Sequence, residues 1–138
     1  MKANAALKEK VRSRANGCCE YCFSQFKYSP DPFSVEHIIP ISKGGSDEMD
    51  NLAYSCQGCN NKKYNHIQFK DLITGAFANL YNPRLDVWEE HFRWNEDFSL
   101  ILGISPTGRA TVSLLDLNRE GVTNLRKLLF LIAQHPPF

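Results

Sequence analysis

Ala5, Ala6, Leu7 and Val11 recur at helical spacing among basic side chains, and Gly17 closes the run, so residues 1–16 are predicted to form a helix. The pattern then shortens. "NGCCEYCF" (16–23) reads as a knuckle, "FSVEHIIP" (33–40) as a strand and "ISKGGSDEMDN" (41–51) as a loop before a second strand. "CQGCNNKKYNHIQFKDLITG" (56–75) reads as a second knuckle running into a helix that stops near Gly75. Beyond it, "NPRLDVWEEHFRW" is aromatic and acidic, and "FSLILGISPTGRATVSLL" (98–115) suggests two strands about a Pro-Thr-Gly turn. "NREGVTNLRKLLFLIAQH" reads as a closing helix. The expected fold class for this mixture of strands and helices is α+β. Trp88, Phe92, Trp94 and Phe98 are expected to be packing residues.

These segments divide into a basic helix (1–16), a cysteine-bearing unit (17–75) and a hairpin-plus-helix tail (76–138), expected to form one domain. With 138 residues, 43% of them hydrophobic, a core is within reach. The net charge of +1 creates no global field, so contact with a polyanion requires local patches. One such patch is residues 1–16, where Lys2, Lys8, Lys10, Arg12 and Arg14 stand against Glu9 alone. The choice there lies between a solvated helix face and a phosphate-contacting arm carrying Arg12 and Arg14. The longest apolar runs, such as "LLFLIA" (128–133), fall short of the ~20 residues a membrane helix needs. "MKANAALKEK" meets charge before a signal-peptide core could form, which makes cytoplasm the expected compartment.

All five cysteines lie between Cys18 and Cys59. A disulfide scaffold would spread them more evenly, so the clustering favours metal. Cys19-x2-Cys22 and Cys56-x2-Cys59 are two knuckle pairs able to present four thiolates to one tetrahedral structural zinc. Cys18 with Cys22 has the looser C-x3-C spacing and is expected to be a packed thiol.

A zinc clip does not explain Glu36 beside His37, nor Asn51, nor Asn60 directly after the last cysteine. Glu36-His37-Ile38-Ile39-Pro40, Gly44-Gly45, Asn51-Leu52 and Cys56-x2-Cys59-Asn60-x2-Lys63 occur in an order that resembles the HNH endonucleases of the ββα-metal class. The likeness covers residues 19–63. It implies a metal-dependent endonuclease that hydrolyses phosphodiester bonds in DNA, or RNA, to leave a 5′-phosphate and a 3′-hydroxyl. His37 would be the general base, with Asn51 orienting it. Asn60 and Glu36 would hold a catalytic Mg²⁺ or Mn²⁺, since hard cations prefer oxygen. Lys62 and Lys63 would contact the nucleic-acid backbone.

The sequence departs from the family pattern in two places: Glu stands where many members have Asp at position 36, and Asn60 makes this an H-N-N variant. His66, His91 and His135 are expected to be ordinary. The alternative is a non-catalytic zinc module that binds nucleic acid or a protein partner, and the two readings differ at His37. Membership of a larger nuclease complex is compatible with either.

Overall fold

The computed structural model describes residues 4–138, and Lys2 lies outside the described residues. Helix α1 (Ala5–Arg14) begins where the Asn4 side chain accepts from Leu7 N at 2.8 Å. This satisfies one of the amides a helix start leaves orphaned. The helix ends where Asn16 and Gly17 take positive φ and Gly17 N donates back to Arg12 O. Buried Val11 anchors α1 to the core.

Strand β1 (Ser34–His37) pairs antiparallel with β2 (Leu52–Ser55), setting Glu36 opposite Ala53 and His37 opposite Leu52. Helix α2 (Gln57–Lys63) follows at once, with Cys56 as its N-cap. This is the expected strand, loop, strand, helix order. Because successive strand residues face opposite sides, Glu36 is buried while His37 is only partly covered.

Helix α2 ends at Lys63, well before the expected Gly75. Tyr64 takes φ +46°, and Tyr64, Asn65 and His66 are all exposed, so no apolar stripe carries the helix further. The chain instead forms a hairpin of β3 (Gln68–Lys70) and β4 (Phe77–Asn79). Asp71 builds its turn by accepting from Ile73 N and Thr74 Oγ1, and Gly75 supplies the positive φ. Gly75 thus marks a hairpin turn rather than a helix end.

In the tail, α3 (Trp88–His91) leads into the hairpin β5 (Phe92–Trp94) and β6 (Ile101–Gly103). A second expected strand here is corrected to helix α4 (Pro106–Leu115). Ser105 caps it by accepting from Gly108 N at 2.9 Å, and Pro106 sits in the first turn, where its missing N–H costs nothing. The Pro-Thr-Gly triplet is therefore a helix start. Helix α5 (Glu120–Leu131) closes the chain as expected.

The fold is therefore α+β, with three two-stranded sheets beside the helices among the described residues. Its buried cluster joins Val11, Cys19, Tyr21, Leu52 and Cys59 to Phe92, Ile101, Leu115 and Leu117 of the tail. Among the described residues, no helix is long and apolar enough to cross a membrane.

Candidate functional site

Two turns bring the four paired cysteines together. Cys19 N donates to Ser24 O and Phe23 N to Cys19 O, folding the first knuckle, and the start of α2 folds the second. One ligand atom from each of Cys19, Cys22, Cys56 and Cys59 lies within 4.8 Å of the others, and all four residues are buried. Cys22 and Cys56 Sγ are 3.6 Å apart, unbonded. Four sulfurs ~2.3 Å from one tetrahedral zinc would stand ~3.8 Å from each other, so the cluster has the dimensions and donor type of such a centre and could hold zinc. Cys18 stays outside it, buried, with its thiol 3.5 Å from Asn16 O. Burial pushes the Cys18 thiol pKa up, as suits a packed group.

A cation from the tail faces the cluster. Arg119 donates to Cys56 Sγ at 3.3 Å and to Cys59 Sγ at 3.7 Å. Burial opposes its charge, but the Cys59, Cys22 and Cys56 sulfurs outweigh that and hold its pKa above the ordinary value. Buried Arg126 grips the first knuckle through Cys22 O at 3.0 Å while donating to Leu117 O and Ser99 O in the tail.

His37 ends β1 at the mouth of the 38–51 loop. Asn51 fixes that loop with its side chain: Oδ1 accepts from Ile39 N, and Nδ2 donates to Ile39 O at 2.9 Å and to Ser46 O at 2.8 Å. Its backbone oxygen also accepts from Ile38 N. The residues just after His37 and the far limb of the loop are therefore held by one amide. Across this closure His37 Nε2 meets Asp47 Oδ1 at 2.7 Å.

Glu36, expected beside a catalytic ion, is turned inward. Its carboxylate accepts from the Tyr21 hydroxyl and lies 4.0 Å from Lys63 Nζ. Burial lifts the Glu36 pKa to about 7 against the opposing pull of Lys63 and Tyr21. Lys63 itself is 1% exposed and donates to Ile38 O at 2.8 Å. An internal ammonium thus occupies the oxygen-lined space beside Glu36, which leaves that carboxylate poorly suited to a second cation. Asn60 is carried half-buried on α2, with its side-chain amide unpartnered among the described residues.

The basic residues expected at a nucleic acid divide. Lys63 is interior, a correction that follows from its ion pair. Arg14 is exposed, but its guanidinium donates to Met49 O at 2.7 Å and to Leu52 O, which ties α1 to β2 and leaves little for phosphate. Arg12 is exposed with its guanidinium 4.4 Å from the Phe26 ring centroid, and Lys62 is exposed with Asp116 at 3.9 Å. These two remain open to solvent.

Arg119, Asp47 and Tyr21 escape a reading of the sequence. Gly58 was the available signal for Arg119, since a Cβ there would lie 2.5 Å from Arg119 Nη2. Asp47 is one of three acids in its loop, and spacing does not single it out.

The family model described as HNH endonuclease matches residues 19–66. A 78-residue stretch is 28% identical to the type IV methyl-directed restriction enzyme EcoKMcrA of Escherichia coli (strain K12), covering 54% of this chain and 28% of that protein. The chain thus matches little more than a quarter of that relative's length. No solved structure matches. The cysteine cluster, the loop pinned by Asn51 and the ββα order all fall within or beside the segment, residues 19–66, that matches the HNH endonuclease family model.

Proposed function

We propose that the chain is a metal-dependent endonuclease that hydrolyses DNA phosphodiester bonds with His37 as general base and with Cys19, Cys22, Cys56 and Cys59 around a structural zinc. The observation that carries this reading is the placement of His37: a half-buried imidazole at the end of β1, held by the Asn51-pinned loop inside the segment that matches a nuclease family. A zinc module that only binds has no use for such a group. DNA is the substrate favoured by the restriction enzyme's likeness to this chain.

In the reaction, His37 takes a proton from water as the water oxygen bonds to phosphorus. The bond from phosphorus to the 3′ oxygen breaks, and that oxygen gains a proton from solvent, leaving a 5′-phosphate and a 3′-hydroxyl. A bound Mg²⁺ or Mn²⁺ would neutralise charge at the phosphate and the departing oxygen. Among this chain's residues, Asn60 is the fitting oxygen donor, and Glu36 acts from behind by fixing Lys63 and the β1 backbone. Arg12 and Lys62 are the residues left to contact the strand. The three parts of the chain work as one unit in the cytoplasm, where thiolates stay reduced.

Purified protein is incubated with supercoiled plasmid, and separately with RNA, with and without Mg²⁺ or Mn²⁺, beside His37→Ala. Ion-dependent plasmid nicking, reduced by about 10²–10⁴ in the variant, is expected. Full activity in His37→Ala would sink the assignment, and cleavage of RNA alone would redirect it.

A further inference from the structure

We infer that Asp47 is the positioning residue for His37, fixing which ring nitrogen acts as the base. The inference rests on the reading of His37 above. His37 Nε2 and Asp47 Oδ1 are 2.7 Å apart, the distance of a charge-assisted hydrogen bond. A carboxylate only accepts, so the proton between them belongs to the imidazole. Nε2 is thereby the N–H nitrogen, and the lone pair that can take a proton from water is on Nδ1. Among the described residues Nδ1 has no protein partner.

The pair is a product of the fold and not of local sequence. Ten residues separate its members, and Asn51 closes that gap by donating to Ser46 O, one residue before Asp47, and to Ile39 O, two residues after His37. The imidazole side chain is 17% exposed and the carboxylate 61% exposed, so the acid stands on the solvent side and the ring is backed by the protein. An acid there holds the ring's rotation and tautomer, and stabilises the imidazolium formed when water gives up its proton. The same logic operates wherever a carboxylate orients a catalytic histidine, and the wrong tautomer alone can remove most of the rate.

Two measurements test this. In wild-type protein, ¹⁵N-resolved NMR of the His37 ring should show the Nε2–H tautomer, with Nδ1 unprotonated; the Nδ1–H tautomer would overturn the proposal before any variant is made. In plasmid cleavage, Asp47→Ala should lower kcat about tenfold to a hundredfold, a part of the about 10²–10⁴ that a general base supplies, with KM changed less than twofold. Asp47→Ala should also lose the single tautomer. Unchanged kcat, or a rise in KM alone, would mean that Asp47 is idle or touches substrate, and either overturns its positioning role. Full activity in His37→Ala is a different failure: it removes the base itself, whatever Asp47 does.

Discussion

The Arg119 guanidinium lies 3.3 Å from Cys56 Sγ and 3.7 Å from Cys59 Sγ, reaching across from the corner between α4 and α5. Four thiolates around one divalent ion carry a net charge of about −2, and burying that charge unpaired is costly. With such an ion bound, Arg119 would offset part of that charge, and its contacts tie the tail to the cysteine cluster.

Arg119→Met should therefore loosen the metal more than the fold. Groups that bond to metal ligands typically contribute about 10–100-fold in affinity, so zinc release to a chelating dye should be faster in the variant, with Arg119→Lys between the two. Gly58→Ala should move the same way, because its Cβ would displace the guanidinium. Equal zinc retention in all of these proteins would show that Arg119 is incidental. Cys59→Ser, by contrast, should unfold the 17–75 unit, since structural zinc binding is coupled to folding.

The cysteine pairs and the ββα order were legible in the sequence because spacing and alternation are local. So was the helix over 118–135, as α5. The sequence does not separate a second tail strand from α4, because Ser105-Pro106 serves equally as a turn or a helix cap, and only Gly108's approach to His91 O, 1.9 Å for an added Cβ, sets the helix against its neighbour. Lys63 is the instructive miss. Its motif position was visible, but whether a lysine faces phosphate or a buried glutamate depends on what α2 packs against, which no local pattern records.

Lys63→Met should accordingly act on stability first. Removing one partner of a buried ion pair typically costs about 3–5 kcal/mol, measured by denaturant unfolding, and Glu36→Gln in the same chain should recover much of it. A phosphate-contacting lysine would instead weaken DNA binding and leave stability alone. The Glu36 pKa of about 7 sets the pH dependence. The folded chain keeps a proton that the unfolded chain releases near its ordinary value of about 4.3, so Glu36 lowers stability as pH rises from there towards 7. Glu36→Gln should flatten that window, and an unchanged slope would count against the shift.

Gly44 and Gly45 should differ sharply despite being neighbours. A Cβ on Gly45 would lie 1.7 Å from Ile39 O and 2.8 Å from Asn51 Nδ2, inside the hydrogen bonds that close the loop. Gly45→Ala should cost about 1–3 kcal/mol, as overpacking does, and lower kcat because the loop holding His37 must shift. Gly44 has open space but φ +89°, so Gly44→Ala should cost about 1 kcal/mol of backbone strain and leave kcat nearly unchanged. Equal loss of kcat in the two variants would break the link between loop closure and His37.

The catalytic ion should be separable from the structural one, and Asn60 should set its identity. An amide oxygen suits the hard, strongly hydrated Mg²⁺ and Mn²⁺, which keep several waters of their own and need few protein ligands; four buried thiolates suit zinc. EDTA should therefore stop plasmid cleavage at concentrations that leave zinc in the protein by elemental analysis, and Mg²⁺ or Mn²⁺ should restore it. Asn60→His replaces the oxygen donor with an imidazole nitrogen, which gains more from Ni²⁺ and Co²⁺ than from Mg²⁺. Since Asn60 is half-buried on α2 and its amide has no protein partner among the described residues, the change should leave the fold intact by circular dichroism. The ranking of ions should then invert in the cleavage assay. If wild-type protein prefers Ni²⁺, or if Asn60→His leaves the ranking as it was, the ion is not held by Asn60, and the exposed imidazole of His66 becomes the next donor to test.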